Sequence, residues 1–292
     1  MLLVDDFVSL NLAAWRVEQG QGVGAGGLTD ADVVLEPTHP WEADVHAEGS
    51  VLVDPYDTGP ARYKAFYCTV PDPTPPASGV PEATAGRMLA TAWSADGLRW
   101  RRPQLDFVPY GNETKTNILM RMKGDAEISQ ISVLLSPHPS YAFEMFFLAP
   151  ELPPNFPSSP RWEECEGARC LYRFHSADAV HWTPWEALPH SALPNKGDGA
   201  LIYRHPQPDD VNGSGYIAYL KVDRPSGPSN LLPYASAPGL QRTIVQSTSA
   251  NGSSWSAPRF VAQADWRDAQ GDQFVGTLVP VSALHSSKSA SK

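Results

Sequence analysis

One motif recurs three times in this chain, and its recurrence constrains the fold more than any other feature. Ser94-Ala95-Asp96-Gly97-Leu98-Arg99-Trp100, Ser176-Ala177-Asp178-Ala179-Val180-His181-Trp182 and Ser249-Ala250-Asn251-Gly252-Ser253-Ser254-Trp255 share the pattern S-A-[D/N]-[G/A]-x-x-W, at separations of 82 and 73 residues. A fixed period of that order is the mark of a repeat architecture. Each copy follows a strand-like run, Met88–Trp93, Cys170–His175 or Thr243–Thr248, and precedes a short segment that opens with a proline or a polar residue. That context is a hairpin turn. The Asp or Asn bonds its own backbone, the Gly supplies positive φ and the Trp packs beneath the turn. Turn chemistry explains every position, so these residues are read as structural and not catalytic.

The repetition extends upstream of each turn. Gly49–Asp54, Ile131–Ser136 and Gly199–Arg204 are short apolar strands, each followed by a turn and an aromatic-rich strand, Tyr63–Val70, Tyr141–Leu148 or Tyr216–Val222. Each unit therefore reads strand, aromatic strand, strand, S-A-D-G turn, edge strand, which is one four-stranded antiparallel blade. A β-sandwich also yields many short strands, but not one unit recurring in the same internal order. The expected fold is all-β, a β-propeller domain over 1–285, with blades at about 44–108, 117–190 and 197–262 and a partial blade at 270–285. Ser286–Lys292 reads as an unstructured tail. Three and a half blades do not close a ring. Missing C-terminal blades, an open ring, or self-association with another chain would each account for that.

Charge and composition exclude some partners. With 22 basic against 32 acidic residues the net charge is -10, and no basic run is present, so nucleic acid is not an expected partner. No stretch approaches the roughly 18 apolar residues of a membrane span. Met1-Leu2-Leu3-Val4 runs straight into Asp5-Asp6, so neither a membrane segment nor a signal peptide is expected. Cys68, Cys165 and Cys170 make an odd count without a paired CxxC. Buried free thiols are the first expectation, a Cys165–Cys170 pair the second, and a metal site none.

The acids carry the functional reading. Asp44 and Glu48 precede the first apolar strand, Asp125 and Glu127 the second, Asp198 the third, and Asp272 the partial fourth. Taking Asp44, Asp125, Asp198 and Asp272, the spacings are 81, 73 and 74 residues, close to the turn period. In a propeller the starts of the innermost strands form the channel mouth, so these carboxylates should converge there. Glycosidic cleavage needs one carboxylic acid to protonate the leaving oxygen and a second carboxylate as nucleophile or base. Any single acid opening a strand is also a turn cap. The matched set is what points to a sugar pocket. His46 alternates with Asp44 and Glu48 on one strand face, where it can bind a sugar hydroxyl, and Trp41 and Trp162 offer rings for stacking on a sugar. No cofactor is called for.

With these residues in hand, the chain resembles the five-bladed glycoside hydrolases of family 32 (invertases and levanases) and family 43 (arabinanases and xylosidases). The likeness rests on Leu2-Leu3-Val4-Asp5-Asp6, Pro40-Trp41-Glu42, Arg62-Tyr63-Lys64-Ala65-Phe66-Tyr67, the S-A-D-G-x-x-W turns and Asn112-Glu113-Thr114-Lys115-Thr116-Asn117-Ile118. The resemblance implies a carbohydrate substrate. It also implies a nucleophile or base at Asp44 or Glu48, a sugar-orienting acid at Asp125 or Glu127, and a general acid at Asp198. Trp162-Glu163-Glu164-Cys165 is similar to the invertases' E-C motif and makes Glu164 the substitute acid. The invertases' W-M-N-D-P-N and R-D-P motifs are absent from this sequence. The alternatives to a glycosidase are a non-catalytic carbohydrate-binding propeller and an inactive truncated one.

Overall fold

The computed structural model describes residues 35–71, 85–106, 108–123, 128–138, 140–150, 156, 170–188, 193, 200–204, 215–225 and 240–263. Within them the chain is all-β and forms three four-stranded antiparallel sheets. The first sheet holds β1 (Asp44–Val53), β2 (Tyr63–Val70), β3 (Ala85–Ser94) and β4 (Ile118–Lys123) in that order. The second holds β5 (Ser129–Leu135), β6 (Phe143–Ala149), β7 (Cys170–Ser176) and β8 (Trp182–Leu188). The third holds β9 (Ala200–Arg204), β10 (Tyr216–Pro225), β11 (Leu240–Ser249) and β12 (Arg259–Gln263).

Strand alternation explains how the sheets stack. In β6 the residues Phe143, Met145 and Phe147 face the first sheet, where they join Phe66, Cys68, Leu89 and Met120 in one core. Their neighbours Phe146 and Leu148 face the third sheet and pack with Ile202, Ala218, Leu220 and Val245. Both faces of β6 are covered, so all seven of its residues are buried, and a period-2 polar face is absent. Burying each such aromatic contributes about 1.5–3 kcal/mol. The first strands lie side by side, β1 against β5 and β5 against β9.

Serine hydroxyls fix the level of that contact. Ser50 Oγ in β1 donates to the Ile131 carbonyl at 2.8 Å and accepts from the Val133 amide at 2.9 Å, both in β5. Ser132 Oγ in β5 accepts from the Ile202 amide of β9 at 2.9 Å. Ser50 lies opposite Phe66, and Ser132 opposite the corresponding Phe146, so the two joints repeat at one register.

The three turns form as their sequences require. Asp96 Oδ1 accepts from the Leu98 and Arg99 amides, Asp178 Oδ1 from Val180 and His181, and Asn251 Oδ1 from Ser253 and Ser254, all at 2.8–2.9 Å. Gly97 and Gly252 take φ of 79° and 83°, and Ala179 takes 64° in the copy that lacks glycine. Trp100 and Trp255 each donate the indole N–H to the carbonyl of that turn's glycine at 3.0 Å.

Two features differ from expectation. The segment after the first turn makes an isolated bridge, Arg101 with Trp93, and the fourth strand of the first sheet is Ile118–Lys123, paired with β3. Residue 117 therefore precedes the last strand of the first sheet and does not open the second. The expectation of free thiols holds for buried Cys68 but not for Cys170, which is disulfide-bonded. Cys165, the remaining cysteine of the sequence, lies outside the described residues. Among the described residues no helix is long and apolar enough to cross a membrane.

Candidate functional site

Strand β1 opens with Asp44, the one of the acids Asp44, Asp125 and Asp198 that falls within the described residues. Asp44 is 64% exposed, and its Oδ2 lies 3.0 Å from Nε2 of His46, which is 31% exposed. The pairing of β1 with β2 is regular from Asp44 to His46, then slips, so that Ser50 follows His46 across a bulge. Gly49 makes the bulge fit, because a Cβ there would collide with the Phe66 carbonyl. The bulge separates the Asp44–His46 end of the strand from the half that meets β5.

Behind that end lies a buried polar network. Glu42 is fully buried, and its Oε1 accepts from Tyr67 Oη at 2.7 Å and from Arg102 Nε at 2.8 Å. Asn117 Nδ2 donates to Tyr67 Oη at 2.6 Å and to the Thr91 carbonyl at 2.9 Å. Burial, together with the Glu42 charge, pushes the Tyr67 phenol well above its ordinary range. Trp41 is 3% exposed, stacks on His39 with ring centroids 4.4 Å apart, and donates its indole N–H to Asn117 Oδ1 at 2.8 Å. Its carbonyl accepts from Thr69 Oγ1 at 2.5 Å. The Pro40-Trp41-Glu42 and Asn117-Ile118 segments thus meet across the first sheet, and together they anchor the residues that lead into Asp44. Every polar group of Glu42, Tyr67 and Asn117 described here is engaged, which suits positioning rather than proton transfer.

A second network joins the other two sheets at the turn end of β5 and β6. Glu144, 1% exposed, accepts from Arg173 Nη2 (3.1 Å) and Ser136 Oγ (3.1 Å) on one oxygen, and from Tyr216 Oη (2.7 Å) and Arg204 Nη2 (3.0 Å) on the other. Arg173 also donates to Glu186 (2.9 Å) and to the Asn251 carbonyl of the third turn (2.8 Å). Burial and the Glu144 charge push Tyr216 up to about 12. His175 lies beside this network between the rings of Tyr141 and Trp185, at 4.6 and 4.4 Å, with neither ring nitrogen hydrogen-bonded. Burial drives its pKa down to about 4 against the opposing pull of Glu144. The first sheet has a smaller counterpart, in which buried Lys64 donates to Asp54 at 2.7 Å.

Of the other predicted site residues, Glu48 lies in the bulge of β1, and Asp125, Glu127, Glu164, Asp198 and Asp272 lie outside the described residues, as does Trp162. Among the described residues no group of three or more His, Cys, Asp or Glu can hold a metal ion. Sequence reasoning missed Glu42, Lys64, Glu144 and Arg173. The available signal was a charged residue inside an apolar strand, as in Tyr63-Lys64-Ala65-Phe66 and Phe143-Glu144-Met145-Phe146, since such a charge must find a partner.

No family model matches the chain, and no curated protein does. Among solved structures it is similar to an N-acetylgalactosamine deacetylase from F. plautii, in complex with blood group B trisaccharide, at a TM-score of 0.41 and 15% identity. That similarity covers 77% of this chain and 55% of the other, so the chain spans about half the length of that protein. A likeness of this extent assigns neither fold nor activity. What is established is that the described residues are all-β and form antiparallel four-stranded sheets whose first strands adjoin.

Proposed function

We propose that the chain is a β-propeller of glycoside hydrolase type that cleaves a glycan with carboxylates at the starts of its first strands. The observation that carries this reading is the repeated joint. Ser50 and Ser132 stand at the same register and each bonds the first strand of the next sheet. Sheets related in that way present the beginnings of their first strands at one end, as blades around a channel do. Asp44 opens the first of those strands. In the sequence Asp125 stands four residues before Ser129, and Asp198 two before Ala200. In this reading Asp44 is nucleophile or base with Glu48 beside it, and His46 bonds substrate hydroxyls. Asp125, with Glu127, orients the sugar, and Asp198 is the general acid, with Glu164 as substitute.

The second reading is a carbohydrate-binding propeller without turnover, and the exposure of Asp44 favours it. A catalytic acid is usually sheltered so that its protonation is tuned, whereas Asp44 is 64% exposed. The two separate in a hydrolysis screen of the purified chain against aryl glycosides and plant and algal polysaccharides, run beside an Asp44→Asn/Asp198→Asn variant. Turnover that falls by about 10²-fold or more in the variant supports the glycosidase. Glycan retention on an array without turnover supports the binding module, and silence in both removes the carbohydrate reading.

A further inference from the structure

The face of the first sheet that points away from the second is covered unevenly. Its outward pairs along β2 and β3 run from Thr69–Met88, at the end where β1 begins, through Tyr67–Ala90 and Ala65–Ala92 to Tyr63–Ser94 at the turn. Trp41, Val108 and Tyr110 pack on Met88. Leu35, Val45 and Trp100 pack on the next two pairs, whose four residues are all buried. Beyond Leu35 the cover stops. Val51, opposite Ala65, and Val53, opposite Tyr63, are 66% and 46% exposed, and Leu98 in the turn is 70% exposed. Their counterparts in the second sheet lie in the core shared with the first, where Val133 (for Val51) and Val180 (for Leu98) are 4% and 8% exposed.

The floor of that face differs from its counterpart in the second sheet. Counted from the turn serines Ser94 and Ser176, the residues Ala65, Tyr67, Ala90 and Ala92 correspond to Met145, Phe147, Tyr172 and Phe174. The four large side chains of the second sheet reach across to a neighbouring sheet. Three alanines in the first sheet lower the floor instead, so that a single extended segment can lie directly on it. Leu35 lies there. The path of the chain shows what precedes it. Read backwards, it leaves Glu42 and Trp41, held by Tyr67 and Thr69, and passes Glu36, whose carbonyl accepts from Arg102 Nη2. It then reaches Leu35 on the alanines, heading for the turn. The residues before Leu35 are Leu28-Thr29-Asp30-Ala31-Asp32-Val33-Val34. Alternation places Ala31, Val33 and Leu35 on one side of an extended strand and Asp30 and Asp32 on the other. Two exposed cations border the uncovered region: Arg62 stands 5.6 Å over the outward Tyr63 ring, and Arg99 follows Leu98.

We infer that residues 28–34 continue the path of Leu35 as an extended strap across the turn end of the first sheet, with Val33 against Leu98 and Leu28 and Ala31 over Val51 and Val53. Asp30 and Asp32 then face Arg62 and Arg99. The strap does for the first sheet what the preceding sheet does for the second. The chain's own segment is the occupant because its described end already rests on this face, points at the uncovered residues and carries the complementary charge. The low alanine floor suits one strand and not a second sheet. Through Trp41 and Glu42 the strap is continuous with Asp44, so it ties the turn end of the sheet to the end where β1 begins. The inference uses the sheet pairing and not the glycan reading.

Maleimide labelling of the full chain tests this, with Leu98→Cys and Val51→Cys as probes and Leu135→Cys, at a position 39% exposed on the second sheet, as the open reference. Both probes should label at least about tenfold more slowly than the reference at every protein concentration, and both should recover the reference rate when Val33→Asp is added. A still-protected Cys68 thiol shows that the Val33→Asp chain keeps its fold. A Val33→Cys/Leu98→Cys chain should close an intramolecular disulfide at monomer mass on mild oxidation. Probes that label as fast as the reference overturn the inference. So does slow labelling that Val33→Asp leaves unchanged, which points to residues 264–292, or that sets in only as concentration rises, which points to a second copy. A failed glycan screen leaves these rates untouched, so the two readings fail separately.

Discussion

Glu144 accepts four hydrogen bonds from groups on β5, β7, β9 and β10 or adjoining them, so its removal takes a carboxylate partner from two guanidinium groups at once and leaves Arg173 with Glu186. Truncating one member of a buried charge cluster typically costs about 3–5 kcal/mol, because the partner charge stays buried and unpaired. Glu144→Leu is expected to lower the urea midpoint by that order, and Glu144→Leu combined with Arg173→Leu to recover part of the loss. His175 gives the pH dependence. Its folded pKa of about 4 lies below the ordinary 6.5, so the unfolded chain binds the extra proton between those values. The stabilisation is complete above pH 6.5 and is lost as pH falls toward 4, amounting to about 3 kcal/mol. The difference in urea stability between wild type and His175→Gln, followed from pH 7.5 to 4, should narrow over that window; a constant difference would place the imidazole outside the titration. None of these roles was legible in the sequence beforehand. A Glu or Arg in an aromatic strand signals a partner without naming it, and the partners stand up to 80 residues away.

At the scale of elements the sequence reading was close. The first three strands of every sheet fall where alternation and aromatic content put them, because each is bounded by a turn whose residues admit few conformations. The fourth strand of the first sheet escaped, since more than fifteen residues and an isolated bridge separate it from the turn, and Ile118-Leu119-Met120-Arg121 looks equally like the opening of a new unit. The turns also differ in surroundings, and this yields a comparison. A Cβ on Gly97 would meet Tyr63 at an ordinary 3.5 Å, whereas one on Gly252 would lie 3.1 Å from the Arg173 guanidinium and 3.3 Å from the Phe146 ring. Gly97→Ala should cost about 1 kcal/mol, the backbone cost of positive φ alone. Gly252→Ala should cost about 1–3 kcal/mol more by wedging the third sheet off the second. Thermal midpoints of the two variants compare them directly, and equal losses would show that the turn does not brace the joint.

For the whole molecule, the site was legible as a pattern and not as a geometry. The spacing of the acids follows the repeat, but the sequence carries no sign of the bulge at Gly49 or of the Glu42–Tyr67–Asn117 anchor, both of which depend on how distant segments cross. The cysteines illustrate the same limit, because the sequence offers a Cys165–Cys170 pair only as the second expectation, after free thiols. Maleimide titration should find one reactive thiol in the denatured, unreduced chain and three after reduction, with Cys68 protected in the native state. Three thiols without reductant would exclude the disulfide. The buried charges have a further consequence. Lys64 and Glu144 occupy equivalent positions in the second strands of their sheets, beside Asp54 in one and Arg173 in the other. A nascent chain built from repeats risks pairing one hairpin with another repeat's partner. Laying β6 on β1 would bury Glu144 against Asp54, two carboxylates with no cation between them, so the buried charges set the hairpin of the first sheet apart from that of the second.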